Sequence, residues 1–584
     1  MTTPDPFSLP PVSSAESRRS PLLLIIGGLV IGGLLIIIGS SVLVWSVINQ
    51  RGSAIPELLP AETQIYAAIT PNLSDLPNID RIRRAFPETF DYQNTDQTTD
   101  FLQERFGVTF ADDIAPWIGA EAAIAVYGLP IERIGAVAAE TANPLNPLAT
   151  LNPFEDVDLR DASVLLIATV RDERAAQAFL DKQRMFREAQ GERFTNSTTN
   201  GVTIYESERD ETAFAAFALA RNMVVFANNA TSISTLIEQR SESALARSAQ
   251  FQAVIQNLPT DRIGTIYLAG DGLARFIDSL FTSGSLDESV PTLADMRSAA
   301  QAMQGVGFTM AVIESGLRFD AVTVFDRNRL SDALREQLGS LRPTVSPERA
   351  GDVSSTAIGV FSFGIPADWG QRLRKQLEAE PGTANALRDL EDSLNINLDR
   401  DLFSWFHGEG VIALLPIDSV ELPVGGYFAL KVADQSAAKR GMQRLMELAE
   451  DLTGIRLGAT SLGRTQVQAF EEGDLFFGYG FNGNDLVIAV GRPAMEAAFN
   501  AEQKLTSVTT YANGLKAMPS PNGGVLYINL TAARRWFNQM RNVPIDFELE
   551  QRLAPFTAIT SSGTVGIDDR GLIRGTLLLS IEPQ

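Results

Sequence analysis

The most pronounced hydrophobic pattern in the chain is a run that begins at Leu22, ends at Ile48 and contains no charged residue. Its length, about 27 residues, exceeds the roughly 20 residues with which a helix crosses a bilayer. The apolar core of a cleaved signal peptide is shorter, about 7–15 residues, and small residues follow it. Here Asn49 and Gln50 follow. We therefore predict one uncleaved transmembrane helix over residues 21–48, through which the protein contacts the lipid bilayer.

Charged residues beside this run indicate its orientation. Arg18 and Arg19 precede it directly, whereas Arg51 follows it among acidic residues. Positive charge favours the cytoplasmic side of a membrane. Residues 1–20, rich in Pro, Ser and Thr, are therefore predicted to form a disordered cytoplasmic tail. The rest of the chain, folded from Pro56 onward, is predicted to lie outside the cytoplasm, held at the cell membrane by a single pass.

Two glycines inside the apolar run, Gly28 and Gly32, have the spacing that lets two transmembrane helices approach closely. A homodimer packed through this helix is one expectation. The alternative is that these glycines have no special role, because glycine is common in transmembrane helices.

Beyond the apolar run, the chain repeats one pattern at a period of about 260 residues. One segment reads Asp-Ile-Ala-Pro-Trp117-Ile-Gly-Ala-Glu121, and a later one reads Asp-Leu-Phe-Ser-Trp405-Phe-His407-Gly-Glu409. An apolar run typical of a strand follows each. Further segments match in the same order, residues 168–176 with 430–438 and residues 222–227 with 484–489. The repeat indicates a duplicated domain.

Each half alternates between strand-like and helix-like patterns. Asp172 and Asp434 stand between such patterns, at positions typical of helix N-caps. Asn482-Gly483 lies between two apolar runs and predicts a type I′ hairpin. Hairpins pair strands antiparallel, so we predict an α+β fold: after the membrane helix, two tandem related α+β lobes with largely antiparallel sheets. The lobes are placed at residues 56–330 and 353–584, with a linker at 331–352.

The two halves differ most at residues 130–161, a stretch rich in Asn, Pro and Ala that has no counterpart in the second half. Loops of this length are usually functional or disordered. This loop is therefore one place where a specific function is expected.

The sequence resembles a bacterial family known as domain of unknown function 3352. The resemblance lies in the opening at residues 59–63 with the apolar run at 65–69, in the duplicated Asp–Trp–Glu segment, and in the strand–Asp–Ala-Ala helix pairs. It covers most of residues 56–584. It implies a membrane anchor followed by an exported region, and it brings no known activity, cofactor or catalytic residue.

Composition excludes several functions. The formal net charge is −23 and the pI is about 4.6, so the surface repels nucleic acid, and no nucleic-acid partner is expected. The chain has no cysteine, which excludes disulfides, thiolate metal sites and a lipoprotein anchor. It has one histidine, so a histidine-rich metal site is excluded as well. We expect no cofactor and no metal.

The repeated segments hold the few candidates for a ligand or partner site: Trp117, Glu121, Trp405, His407 and Glu409. The two glutamates could act as acid and base, and His407 beside Glu409 could act as a general base. The alternatives are structural, because glutamates at equivalent places in two separate units need not converge, and aromatics shared by repeats are most simply core residues. No catalytic residue is assigned.

The leading functional hypothesis is a non-enzymatic, membrane-anchored binding or scaffolding protein of the cell envelope, with a protein partner there. Its motivation is that structural residues are duplicated whereas catalytic ones are not. One alternative is an envelope hydrolase that uses carboxylates in a cleft between the lobes. The other is a carrier of an apolar ligand, which requires a large apolar cavity.

Overall fold

The computed structural model describes residues 54–70, 78–87, 103, 106–134, 162–209, 214–282, 291–332, 334–335, 338, 345–379, 383–417, 424–463, 465–540, 550–551, 553–564 and 566–582. The predicted tail at 1–20, the predicted membrane helix at 21–48 with Gly28 and Gly32, and residues 135–161 of the long loop lie outside these ranges. Within them, none of the helices combines the length and the apolar character needed to cross a bilayer.

The described residues form one antiparallel sheet of twenty strands. The first half contributes β1 (Ile65–Ile69), β2 (Ile118–Tyr127), β3 (Ser163–Val170), β4 (Phe194–Thr199), β5 (Val202–Ser207), β6 (Ala216–Ala220), β7 (Met223–Ala227), β8 (Gly264–Ala269), β9 (Met303–Ile313) and β10 (Gly316–Phe325). The second half contributes β11 (Gly359–Ile365), β12 (Gly408–Pro416), β13 (Val424–Lys431), β14 (Gly458–Leu462), β15 (Thr465–Glu472), β16 (Leu475–Asn482), β17 (Asp485–Val490), β18 (Val525–Asn529), β19 (Phe556–Gly563) and β20 (Leu572–Ile581).

Strand pairing follows the same order in both halves. From its free edge to the middle, the first half runs β4-β5-β6-β7-β3-β2-β1-β8-β9-β10. The second half runs β14-β15-β16-β17-β13-β12-β11-β18-β19-β20. Strand by strand, the two orders correspond, so the duplication read from the sequence is also a duplication of topology.

The halves join edge to edge through β10 and β20. Separate sheets in two lobes were expected, and the structure has one continuous sheet instead. An unpaired edge strand exposes backbone N–H and C=O groups, and pairing β10 with β20 satisfies both edges at once. Asp320 lies opposite Thr576 at the centre of this ladder, and Thr576 Oγ1 donates to Asp320 Oδ1 at 2.8 Å. We call the β10–β20 ladder the seam.

The helices of the described residues cover both faces of the sheet, which confirms the α+β prediction. They are α1 (Ile79–Ala85), α2 (Glu173–Ala189), α3 (Ala230–Glu238), α4 (Ala249–Ile255), α5 (Gly270–Thr282), α6 (Pro291–Ala302), α7 (Pro347–Gly351), α8 (Trp369–Ala379), α9 (Thr383–Ser393), α10 (Gln435–Thr453), α11 (Arg492–Asn500), α12 (Thr509–Ala517) and α13 (Leu530–Met540), with π-helical turns at Phe110–Ile114 and Asp399–Phe403.

Local signals in the sequence placed several of these elements well. Asp172 accepts a hydrogen bond from the N–H of Ala175 at 3.0 Å, and Asp434 accepts one from Ala437 at 2.9 Å, as N-caps of α2 and α10. The predicted hairpin between β16 and β17 is present. Its turn lies one residue later than predicted, at Gly483-Asn484, and only Gly483 has a positive φ, whereas a type I′ turn needs two.

Each half has two main hydrophobic cores, one on each face of the sheet. Since side chains alternate along a strand, Ala123 and Ala125 of β2 enter the core under α3 and α4, whereas Ala122 packs with the core under α2. The second half repeats this with α11 and α12 on one face and α10 on the other. We call the face under α3, α4, α11 and α12 the inner face, and the opposite one the outer face.

In the residues that the structure describes, part of the predicted linker at 331–352 is packed into the hydrophobic cores. Leu334 and Leu338 are buried in a core cluster with Phe325. Ala350 of α7 is buried in the inner core of the second half. The backbone contact of Leu59 with Leu245 recurs as that of Val353 with Leu505, both at 2.7 Å, so the second repeat begins before residue 353.

Candidate functional site

The duplicated Asp–Trp pair builds the same turn twice. Trp117 Nε1 donates to the carbonyl oxygen of Asp113, and Trp405 Nε1 donates to that of Asp401, both at 2.8 Å. Each aspartate carboxylate accepts from the backbone N–H four residues before it, at 2.8 and 2.9 Å. A hydrogen bond from Arg400 also holds the pKa of Asp401 below its ordinary value. These contacts shape and close a π-helical turn, which is a structural role.

The tryptophans and the glutamates of the repeated segments lie on opposite faces of the sheet. Trp117 and Trp405 are buried in the outer cores. Side chains two residues apart on a strand share one face, so Glu121 lies on the same face as Ala123 and Glu409 on the same face as Val411, which both belong to the inner cores. The structure therefore does not bring each Trp and Glu together into one site.

The two glutamates are also far from each other. Glu121 is on β2 and Glu409 is on β12, and eight strands of the described sheet lie between them, about 43 Å along the sheet at ~4.8 Å per strand. Glu121 accepts a hydrogen bond from Tyr66 Oη at 2.5 Å, and Glu409 accepts one from the N–H of Ser346 at 2.9 Å. Each carboxylate fixes a neighbouring element in its own half.

Among the described contacts, His407 shares no side-chain hydrogen bond with Trp405 or Glu409. His407 is half-buried directly before β12, and its backbone N–H donates to the carbonyl oxygen of Trp405 at 2.9 Å. Among the described residues, no cluster of three or more His, Cys, Asp or Glu side chains has the geometry to hold a metal ion.

A continuous row of aromatic rings lies on the outer face of the second half. Phe361 stacks on Phe363, with ring centroids 5.5 Å apart, and Phe363 contacts Phe428 at 6.1 Å. Phe428 stacks on Phe406 at 5.8 Å, and Phe406 meets Trp405 edge-on at 5.6 Å. We call these five residues the aromatic ladder. It leads from the exposed ring of Phe361 to the buried ring of Trp405.

The first half also has a row of aromatic rings on its outer face, but at other positions: Trp117 contacts Phe179 at 5.0 Å, Phe179 contacts Phe226 at 6.3 Å, and Phe226 contacts Phe217 at 5.9 Å. The strand registers and the repeated segments align the ladder with smaller or aliphatic residues at all but one position. These counterparts, in the same order, are Ala67, Ile69, Leu166, Ile118 and Trp117. At these five positions the first half thus keeps only the tryptophan, and the other four rings of the aromatic ladder are particular to the second half.

The exposed end of the ladder belongs to an apolar patch. Leu526, Phe361 and Ile412 lie directly opposite one another on β18, β11 and β12, and Leu414 follows Ile412 on the same face. Phe361, Ile412 and Leu414 are 44%, 40% and 47% exposed. We call these four residues the outer apolar face. Side chains of this size rarely cluster on a surface that contacts only water.

The first half covers part of the equivalent surface with its own chain. Val126, the counterpart of Leu414, packs on a cluster that contains Leu129 and Ile134, which directly follow β2, and Phe276 of α5. This cover is the beginning of the long loop 130–161. Between β12 and β13 the connection is shorter, and among the described residues no segment that follows β12 joins a core cluster over Leu414. Ile124, the counterpart of Ile412, stays 42% exposed beside the cover.

The sequence of β11 itself indicates an exposed apolar surface. The strand Gly359–Ile365 reads Gly-Val-Phe-Ser-Phe-Gly-Ile, with apolar residues at both parities. A strand that is apolar on both faces must be covered on both. Val360 enters the inner core, and Phe361 on the other parity remains exposed.

Comparison with known families matches nearly the whole chain. A family described as "Protein of unknown function (DUF3352)" matches residues 22–581. The chain belongs to the DUF3352 family. This confirms the resemblance read from the sequence. The DUF3352 match begins at Leu22, the first residue of the apolar run, and ends at Ile581, the last residue of β20.

No curated protein matches this DUF3352 chain. Similar solved structures include three crystal forms of TP0453. Form III is 10% identical, with a TM-score of 0.22, and covers 50% of this chain and 89% of that one. Form IV is 11% identical, with a TM-score of 0.22, and covers 47% and 81%. Form I is 9% identical, with a TM-score of 0.21, and covers 50% and 88%.

Proposed function

We propose that this DUF3352 protein is a membrane-anchored, extracytoplasmic binding protein of the cell envelope. In this proposal, the outer apolar face of the second half docks an amphipathic segment of another envelope protein. The observation that carries the proposal is the exposed group Phe361, Ile412, Leu414 and Leu526, at a place where the first half supplies a cover from its own chain.

The membrane anchor is supported by the apolar run that ends at Ile48 and by the family match, which includes that run. Ile55 is already fully buried in the core of the first half. Six residues, 49–54, separate the two, and an extended chain of that length spans roughly 20 Å. The folded part would therefore stay close to the membrane surface, where membrane-bound partners are concentrated.

The chemistry of the partner follows from the cover in the first half. Leu129 lies just before a short helical segment at residues 131–134, Ile134 lies at its end, and Val126 packs against the cluster that both form. A partner with apolar side chains spaced along one face of a helix or turn would make the equivalent contacts with Leu414 and Phe361. Aromatic side chains such as Phe361 are enriched among residues that dominate binding energy. The net charge of −23 disfavours anionic lipid as the occupant.

We expect the double substitution Phe361→Ser with Leu414→Ser to reduce recovery of the partner at least tenfold. Loss of two exposed apolar contacts removes binding energy of about 1.4 kcal/mol or more, which is a factor of ten. Because both side chains are exposed, the free energy of unfolding should change by less than about 1 kcal/mol. The measurement is quantitative mass spectrometry of proteins and lipids that co-purify with the full-length protein from its native membrane.

The matched control is Ile124→Ser, which removes an equally exposed apolar residue from the equivalent row of the first half. It should leave recovery of the partner unchanged. Equal recovery with the wild type and with the double variant would contradict the proposal. So would stoichiometric recovery of a lipid alone, since that result favours a carrier of an apolar ligand.

A further inference from the structure

An ion pair on the inner face of the second half occupies a place where the first half has apolar residues. Arg349 of α7 places Nη1 2.9 Å from Asp485 Oδ2 at the start of β17, and the side chains of Arg349 and Asp485 are 10% and 31% exposed. Tyr427 of β13 lies in the same region, buried, and the charges of both partners act on it.

The internal repeat identifies the residues that occupy these places in the first half. Since Leu59 matches Val353, the residue four positions earlier, Ile55, matches Arg349. The strand registers match Met223 with Asp485 and Leu165 with Tyr427. These counterparts, Ile55, Met223 and Leu165, all belong to the inner core of the first half. The fold is therefore satisfied by apolar residues at all three positions.

A buried ion pair is not needed to stabilise this core. Removing two charges from water costs several kcal/mol, and well-packed apolar residues at the same places are often as stable or more stable. The first half provides such an arrangement. The charged pair at the equivalent place in the second half therefore indicates a role other than stabilising the fold.

The pair is also incompletely satisfied. Among the residues the structure describes, no acceptor meets Nε or Nη2 of Arg349, and no donor meets Oδ1 of Asp485, although all three atoms are buried. A buried donor without a partner costs about 1–3 kcal/mol. Nε and Nη2 form one edge of the guanidinium plane, and their two parallel N–H groups match the two oxygens of a carboxylate.

The surroundings favour a ligand group with a single negative charge. Asp485 already neutralises Arg349, and Glu409 holds the N-terminus of α7 through the N–H of Ser346. A doubly charged phosphate would face these carboxylates. Burial raises the pKa of Tyr427 above its ordinary value, although Arg349 opposes this, so its phenol remains a proton donor at neutral pH.

We propose that Arg349, through its Nε–Nη2 edge, binds a carboxylate group of a small molecule or peptide terminus, with Asp485 and Tyr427 beside it. This site lies on the inner face, whereas the outer apolar face lies on the other side of the sheet. The proposal is therefore independent of the docking proposal, and either can fail alone.

The test compares thermal unfolding of the full-length protein in sodium acetate, sodium chloride and sodium phosphate at equal ionic strength and neutral pH. Acetate is the probe. We expect the unfolding midpoint of the wild type to be about 2 °C or more higher in acetate than in chloride. Phosphate raises the midpoint of folded proteins generally, so the comparison is made after subtracting the rise that the Arg349→Ile, Asp485→Met variant shows in the same salt. The remaining rise of the wild type in phosphate should not exceed that in acetate.

The matched variant is Arg349→Ile with Asp485→Met, which installs the pair found in the first half. It should fold, and its midpoint should differ between acetate and chloride only by the general effect of the salts, without the additional rise seen in the wild type. An equal acetate effect in the wild type and this variant would overturn the proposal, as would no acetate effect in the wild type. If the double variant does not fold, the Arg349→Lys variant is measured instead. It keeps the positive charge but removes the edge with two parallel N–H donors, so its unfolding midpoint should not show the additional rise in acetate.

Discussion

Gly441→Ala should lower the free energy of unfolding by about 2 kcal/mol, even though alanine favours a helix over glycine by about 1 kcal/mol. Gly441 lies in α10, against the turn that holds Trp405. A Cβ atom at this position would lie 2.2 Å from Trp405 Nε1 and 2.5 Å from the carbonyl oxygen of Asp401. These are the donor and acceptor of the bond that closes the turn, so the added methyl group must displace one of them. Urea denaturation of the full-length protein measures the effect.

The control is Arg440→Ala, an exposed neighbour in the same helix, which should change the free energy of unfolding by less than about 0.5 kcal/mol. The counterpart of Gly441 in the first half is Phe179, whose ring contacts Trp117 at 5.0 Å. The two halves thus support the same tryptophan differently. If the Gly441→Ala variant proved as stable as the wild type, the result would contradict the close packing of α10 against the turn that holds Trp405.

Asp320→Ala should lower the free energy of unfolding by about 3 kcal/mol, because it removes the acceptor at the centre of the seam. Asp320 is buried and accepts from Thr576 Oγ1 and from Arg318 Nε, both at 2.8 Å. After the substitution, the Thr576 hydroxyl loses the acceptor Asp320, and Arg318 keeps its contact with Asp261 at 2.7 Å. Urea denaturation followed by tryptophan fluorescence measures the loss.

Asp261→Ala is the matched control, since it removes the other carboxylate that binds Arg318. The Asp261 side chain is 61% exposed, so its ion pair is screened by water and its loss should cost less than about 1 kcal/mol. Equal losses for the two variants would contradict the claim that the buried seam joins the halves.

Local patterns in the sequence predicted the elements, and distant pairings decided the architecture. The N-caps at Asp172 and Asp434 and the hairpin at Gly483 depend on residues a few positions apart, and the structure contains all three. The seam joins Asp320 to Thr576 across 256 residues. No periodicity reports such a pairing, because the edges of two sheets look alike in sequence whether they join or remain separate.

The residues that recur in the repeated segment have structural roles in both halves. Trp117 and Trp405 recur because each closes a turn, and the glutamates recur at strand entrances. The features that now suggest function lie where the halves differ. Phe361 replaces Ala67, and Arg349 with Asp485 replaces an apolar pair. Recognising those differences required the register, because Arg349 and Asp485 are 136 residues apart.

The most direct test of the proposed function uses the absence of cysteine from the chain. Single cysteines are introduced as Phe361→Cys and, separately, Ile124→Cys, and intact cells of the native host are treated with a membrane-impermeant maleimide. The proposal predicts that the cysteine at 124 is labelled in intact cells. The cysteine at 361 should react at least tenfold more slowly until detergent removes the partner. Labelling of neither position before the cells are opened would place the domain inside the cytoplasm, and equal labelling of both would mean that the outer apolar face is unoccupied.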